Sequence, residues 1–250
     1  MRRFLVRPEA IDGARVRFDR EEAHHARQVL RLRPGALVEA VDGAGRVFTV
    51  RLDALARDHA AGTIVAEVRE TRESTCAVTL GQAVLKGERM SWLVQKATEL
   101  GVARVVPLLT ERVVAPTGDG SRGSRRWARV AREAVKQCGR AVVPVIDAPR
   151  PLAAVLEEAP RHDVTWLLWE GGGTPLAEAA RAAERPKRVL LLVGPEGGFG
   201  PAEVERAAAA GATVVGLGPR TLRAESAGLV GVTLCQHLFG DLGGPTRADA

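Results

Sequence analysis

A chain of 250 residues with 46% hydrophobic and 26% charged side chains can bury two modest cores, and its balance excludes a disordered polyelectrolyte. Its longest apolar runs, such as Val189 to Val193, fall far short of the roughly 20 residues a membrane span needs, and MRRFLVRPEA has no apolar leader core, so a cytoplasmic protein is expected. The net charge of +6 is uneven: residues 71–150 hold 14 basic and 7 acidic groups, against net +2 before them and −3 after, which suits a polyanionic partner or a solvated arginine-rich surface.

In chain order, the first 70 residues alternate. RFLV, RVRF, LVEAVD, RVFTVRL and TIVAEV read as short strands of a small β domain, with a hairpin at Asp42-Gly43-Ala44-Gly45 and one helix from Glu21 to Leu30. The polar, aperiodic segment Glu70 to Thr75 marks a domain boundary, placed between residues 71 and 72. Beyond it, apolar runs (Val78 to Leu85, Ala103 to Leu108, Val164 to Leu168, Val189 to Val193, Thr213 to Leu217) alternate with helical stretches at Arg89 to Leu100, Ser124 to Cys138, Pro175 to Ala183, Ala202 to Ala210 and Ala224 to Phe239. That alternation predicts an α/β domain with a mainly parallel sheet covered on both faces. Cys76, Cys138 and Cys235 are too few and too scattered for a disulfide framework or a metal site; buried thiols are expected. His59, His162 and His237 are equally scattered, so no metal is expected.

Two loops carry the chemistry. Gly194-Pro195-Glu196-Gly197-Gly198-Phe199-Gly200 joins a buried strand to a helix, and its four glycines allow close backbone approach and free N–H groups near a helix start. It is neither the GxGxxG of dinucleotide folds nor a P-loop, and a tight turn without a ligand stays open. The second loop, Gly218-Pro219-Arg220-Thr221-Leu222-Arg223-Ala224-Glu225-Ser226-Ala227, follows the next strand; two adjacent parallel strands would set the loops side by side. Arg223 and Glu225 then stand at a crevice mouth, or form a plain ion pair and a helix-start carboxylate.

GPEGGFG, LGPRTLRAESA, KGERMSWLVQKATELGV from Lys86 and EAVKQCGR from Glu133 resemble, in order, the motif series of the ribosomal RNA small subunit methyltransferase E family of the SPOUT superfamily. HHARQVLRLRPG is similar to that family's small RNA-binding, PUA-like β-barrel. Two positions depart from the pattern: Ser226 stands where Thr is commoner, and Ala141-Val142 follow QCGR where a polar residue is common. The resemblance implies a deep trefoil knot in the last third of the chain, with S-adenosylmethionine bent among Gly194, Pro195, Glu196, Gly197, Gly198, Leu217, Gly218 and Leu222. It also implies a homodimer that methylates N3 of uridine 1498 (standard ribosomal numbering) in 16S ribosomal RNA. In that chemistry a cation stabilises the uracil anion as N3 loses its proton to a base. Arg223 is expected in the first role, Glu225 or Glu196 in the second. The candidates for RNA contact are His24, His25, Arg27, Arg31 and Arg33, with Lys86, Lys96, Arg125, Arg126 and Arg140; the paired histidines read equally as packing. With 4% aromatic residues and no Tyr, recognition by shape and backbone charge is expected over base stacking. Another knotted methyltransferase acting on a different ribosomal or transfer RNA position stays open, as do a nucleotide-phosphate enzyme and a non-enzymatic RNA-binding assembly factor.

Overall fold

Strands β1 (Arg2–Leu5), β2 (Ile11–Asp12), β3 (Arg15–Phe18), β4 (Leu37–Val41), β5 (Val47–Leu55) and β6 (Ala60–Val68) pair into one sheet of order β1-β4-β5-β6-β3-β2, antiparallel except for β1 with β4. The computed structural model describes residues 1–68, 72–113 and 121–244. The chain divides into two units, Met1–Glu73 with Arg132–Val143, and Ser74–Ala131 with Pro144–Ala250. The expected boundary adjoins Glu70 and Thr71, which lie outside the described residues.

In the first unit the period of two sends Val16, Phe18, Val38, Ala40, Val50 and Leu52 inward, where they pack with Phe4, Ala23 and Ala26 as one core. The predicted hairpin joins β4 to β5, pairing Val41 with Val47. Asp42 is buried in it and accepts from Ala44 N–H (2.8 Å), Arg46 N–H (3.0 Å) and Arg46 Nε (2.7 Å). Burial alone would push its carboxyl up, but the Arg46 and Ala44 donors outweigh burial and hold it below its usual range.

The helix expected from Glu21 to Leu30 is not one regular α-helix. Helix α1 (Arg20–His24) starts on the Asp19 carboxylate, which accepts from Glu22 N–H at 2.9 Å, and then widens into a π-helical turn over His25–Val29. Leu30 N–H reaches His25 O at 3.0 Å, and Arg31 takes φ +52°. Leu30 and Leu32 both pack on the core; residues two apart sit on opposite sides of a 3.6-residue helix, so the helix must break between them.

The second unit holds β7 (Ala77–Ala83), α2 (Arg89–Glu99), β8 (Arg104–Leu109), α3 (Ser121–Cys138, whose last turns count with the first unit), β9 (Val145–Ile146), β10 (Arg150–Pro151), α4 (Leu152–Leu156), β11 (Val164–Leu168), β12 (Thr174–Pro175), α5 (Leu176–Ala182), β13 (Arg188–Val193), α6 (Pro201–Ala209), β14 (Thr213–Gly216) and α7 (Ala224–Phe239). Its sheet runs β10-β8-β7-β13-β11-β14-β12, with β9 on β8, and every pair is parallel. Two apolar clusters explain the unbroken apolar strands. Along β13, Val189, Leu191 and Val193 join one cluster, with α2 and α7, while Leu190 and Leu192 join the other, with α4 and α6. Truncating a fully buried leucine such as Leu191 costs about 2–5 kcal/mol in a core of this kind.

The five long strands and five long helices lie where the sequence predicts them, within a few residues; the short β9, β10, β12 and α4 carry no periodic signal of their own. One inference is corrected. The strands leading into the two chemical loops are not adjacent: β11 lies between them, pairing Val164–Leu168 with Val189–Val193 on one edge and Trp166–Leu168 with Thr213–Val215 on the other. Lateral order in a parallel sheet depends on crossover routes, which hydrophobic periodicity does not encode.

Candidate functional site

Because β13, β11 and β14 are lateral neighbours and parallel, the loops at their carboxyl ends converge, and a cavity of about 400 Å³ opens among them. The β13 loop contributes Gly194, Pro195, Glu196 and Gly198; the β14 loop contributes Leu217, Gly218, Leu222 and Arg223, with Arg220 and Thr221 beside them. The intervening β11 supplies Leu168, the two residues after it are Trp169 and Glu170, and α2 supplies Arg89. Sequence reasoning missed these last four. Trp169 and Glu170 follow an apolar run with no loop motif of its own, and only the strand order reveals that they sit between the two glycine-bearing loops.

Side chains from elsewhere in the same unit hold the β13 loop. Gln82 Nε2 donates to Gly194 O at 3.3 Å and Arg112 Nη1 donates to Gly197 O at 2.7 Å. The helix that follows begins on Pro201, and the buried Glu203 takes Gly200 N–H and Glu111 N–H, both at 2.9 Å. Gly198 has φ +68°, and a Cβ there would land on the Glu170 carboxylate. A Cβ at Gly194 would stand 3.1 Å from Phe199 N and 3.2 Å from the Gly198 carbonyl carbon, so the loop is folded against its own backbone.

The structure places the expected site residues differently. Gly197 does not line the cavity; it is turned toward Arg112. Glu196 lines it and is ion-paired through Oε1 to Arg89 Nη1 at 2.9 Å. Glu225, in the first turn of α7, is buried outside the cavity lining, and its Oε2 has no hydrogen-bond partner among the described residues. Arg223 is exposed at the cavity, its backbone still extended (φ −64°, ψ 151°) where α7 begins.

Among the candidates for RNA contact in the first unit, His24, Arg27, Arg31 and Arg33 are exposed, whereas the His25 ring packs against Phe4 with centroids 6.0 Å apart. Arg140 is the clear departure. It is 5% exposed and paired with Glu73 at 2.8 Å, and Glu73 also receives Ala141 N–H and Val142 N–H, so this arginine holds a chain turn together rather than facing a phosphate. In the second unit, Lys86 and Arg125 are exposed, Arg126 pairs with Glu88 and Lys96 with Glu99 at 2.9 Å. Among the described residues no three His, Cys, Asp or Glu side chains cluster as metal ligands, and no helix is long and apolar enough to cross a membrane. Two of the three cysteines are buried as expected, and burial pushes the Cys76 thiol up to about 11 and the Cys235 thiol up to about 12; Cys138 is only half-buried.

Residues 72–236 match the family described as RNA methyltransferase domain, and residues 18–65 the one described as RNA methyltransferase PUA domain. The ribosomal RNA small subunit methyltransferase E of Synechocystis is 32% identical across 95% of this chain and 78% of its own length. The chain belongs to the ribosomal RNA small subunit methyltransferase E family. Its relative of the same name from Bacillus subtilis is 30% identical over 87% of this chain and 88% of that one. The family's crystal structure from Neisseria gonorrhoeae, bound to S-adenosyl methionine, superposes with a TM-score of 0.88 at 30% identity, covering 96% of this chain and 99% of that one. A Legionella pneumophila methyltransferase in complex with the same cofactor has a TM-score of 0.87 at 29% identity, covering 96% and 98%. The methyltransferase E fold, a PUA domain followed by an α/β domain with a parallel sheet, is therefore the fold of this protein.

Proposed function

We propose that this methyltransferase E family member transfers a methyl group from S-adenosylmethionine to N3 of one uridine of 16S ribosomal RNA, uridine 1498 in standard numbering, within the 30S subunit of the cytoplasm. The observation that carries the reading is the cavity at the three strand ends: it brings a glycine loop able to hold a nucleoside together with an exposed arginine suited to a uracil anion. In this reading residues 1–71 act as a PUA-like RNA-binding β-barrel and residues 72–250 as the SPOUT catalytic domain, threaded as a trefoil knot. The position of β11 between β13 and β14 supports the threading, because the connection from β13 to β14 must cross β11. The working form is a homodimer, which light scattering tests directly.

The residues at the cavity fit the cofactor. Gly194 and Gly198 leave the backbone bare, and Leu168, Val193, Pro195, Leu217 and Leu222 offer apolar surface for an adenine ring. When bound, the cofactor supplies an electrophilic methyl on a sulfonium. The protein's part is to align the uracil in line with that methyl and manage one proton. Arg223 stabilises negative charge on the uracil carbonyl oxygens as N3–H ionises. Of the two carboxylates, Glu196 reaches the cavity and takes the N3 proton, with Arg89 holding its other flank; Glu225 lies behind the wall. His24, Arg27, Arg31, Arg33, Lys86 and Arg125 serve the RNA backbone.

Labelled methyl transfer to 30S subunits and to naked 16S RNA from a strain lacking this activity, followed by nucleoside mass spectrometry, tests the reading. 3-Methyluridine is the expected product; methylation at another nucleotide would overturn the assigned target. Glu196→Gln should slow single-turnover transfer by about 10²-fold or more, in keeping with loss of a general base, while Glu225→Gln leaves the chemical step within about threefold. The reverse ranking would exchange their roles.

A further inference from the structure

Glu170 is the carboxylate at the cavity that the proton-transfer scheme leaves unused. It stands two residues beyond the end of β11, on the strand beside the one that bears the glycine loop, and it lines the cavity. Its carboxylate lies against Gly198, close enough that a Cβ on that glycine would overlap it. Unlike Glu196, which Arg89 engages, it has no ion-pair or hydrogen-bond partner among the described residues. Glu170 is exposed, so its carboxylate is open at the cavity wall.

An acceptor-only group in this position, one strand over from a glycine loop in a parallel sheet, is chemically matched to a pair of neighbouring hydroxyl donors. Doubly wound folds use the same physical arrangement: an acidic side chain beside the glycine turn accepts from ribose hydroxyls while the glycines admit the rest of the nucleotide. The two folds share no glycine spacing, so the parallel lies in strand geometry alone. The alternatives within the cavity fit less well. The arginines Arg89, Arg220 and Arg223 offer only donors, and Glu196 is already paired.

We propose that Glu170 is the cofactor-positioning residue that accepts hydrogen bonds from the vicinal ribose hydroxyls of the adenosyl cofactor, with Gly198 kept bare to let the carboxylate approach. This rests on the adenosyl-cofactor reading above. Two donors onto one carboxylate fix the sugar's rotation as well as its position, and so aim the group attached at its 5′ carbon. Glu170 takes no proton from uracil in this assignment.

The test is calorimetric and needs no turnover. S-adenosylhomocysteine and its 2′,3′-dideoxy analogue are titrated into the full-length wild type and Glu170→Gln, with circular dichroism confirming that the variant is folded. The expected result is a loss of about 10- to 100-fold in affinity for S-adenosylhomocysteine in the variant, the range for hydrogen bonds to a charged group. The dideoxy analogue should bind wild type and variant alike, since the two changes remove the same contact. If both proteins lose equally on removal of the hydroxyls, or if Glu170→Gln binds S-adenosylhomocysteine as wild type does, the assignment to Glu170 falls while the cofactor reading stands. If wild type binds neither compound, the cofactor reading itself falls and takes this one with it. Glu170→Asp, a shorter carboxylate, adds a check on the ligand: recovery over Gln for S-adenosylhomocysteine alone supports hydroxyl recognition, and equal recovery for the dideoxy analogue overturns it.

Discussion

At the scale of single residues, charge placement separates function from stability. Arg223 lines the cavity from a backbone that is still extended, one residue before α7 becomes helical. Arg223→Ala should therefore lower the single-turnover methylation rate by about 10²-fold, the magnitude usual for removing one charge-stabilising donor, with S-adenosylhomocysteine affinity within about threefold of wild type. An equal loss in binding would move this arginine from transition-state stabilisation to cofactor holding. Glu158 represents the other use of charge. It accepts from Arg104 Nη1 at 2.6 Å and pairs with Arg150, and the Arg104 hydrogen bond above all holds its carboxyl at about 2, below the ordinary 4.5. A carboxyl depressed on folding stabilises the native state fully above its unfolded value and loses that contribution as pH falls through the folded one. The contribution is about 2–3 kcal/mol by linkage. In urea titrations Glu158→Gln should be destabilised by about that much at pH 6, with the gap narrowing below pH 4.5 and closing near pH 2; a gap constant with pH would refute it. Arg223 and Glu196 were legible as residues because the loops carrying them have a distinctive composition. Glu170 was not, since a Trp-Glu pair after an apolar run has no local signature and gains its meaning only from what lies on each side of its strand.

Among the elements, α6 depends on a side chain that serves two loops. The buried Glu203 accepts from Gly200 N–H, ahead of the helix, and from Glu111 N–H, beyond β8, each at 2.9 Å, the first bond buried and the second part-buried. Glu203→Ala leaves the buried Gly200 donor unsatisfied, which costs about 1–3 kcal/mol, and removes the Glu111 bond as well. Thermal unfolding should show that destabilisation, and hydrogen exchange should show Gly200 and Glu111 amides losing protection while β7 amides keep theirs. Uniform loss would mean the carboxylate supports the whole unit and not the glycine loop. Element identity was largely readable beforehand: runs such as Val189 to Val193 are apolar at every position because both faces of the strand are covered, and α7 runs over Ala224–Phe239 as its pattern predicts. The π-helical turn at His25–Val29 was not, because its cause is tertiary: Leu30 and Leu32 must both meet the same core. The neighbour relation of β13 and β14 failed for a related reason, as the crossover routes of a parallel sheet leave no mark in any single segment.

Across the whole molecule the cation excess bears on RNA. Arg27, Arg31 and Arg33 are exposed on the first unit, and the three phosphates they would neutralise contribute about −2 to −3 to the log–log salt slope. That share alone should make a fourfold rise in salt weaken binding to 16S RNA by roughly 15- to 60-fold, and the triple substitution to Gln should flatten the slope by about 2 to 3. A slope unchanged by the triple variant would assign the phosphate contacts to Lys86 and Arg125 instead. The placement of β11 between β13 and β14 has a further consequence during synthesis. The cavity's walls come chiefly from residues 168–170, from residues 193–196 with Gly198, and from residues 217–224 with Ala227, so a growing chain that has completed the glycine loop still has an open trough there. The second wall is laid down before the third, with the middle one already in place, and the cavity is complete only once the chain extends past Ala227. On the cofactor reading proposed above, a nascent chain cut short of that point should not retain cofactor, and competence arrives late and all at once.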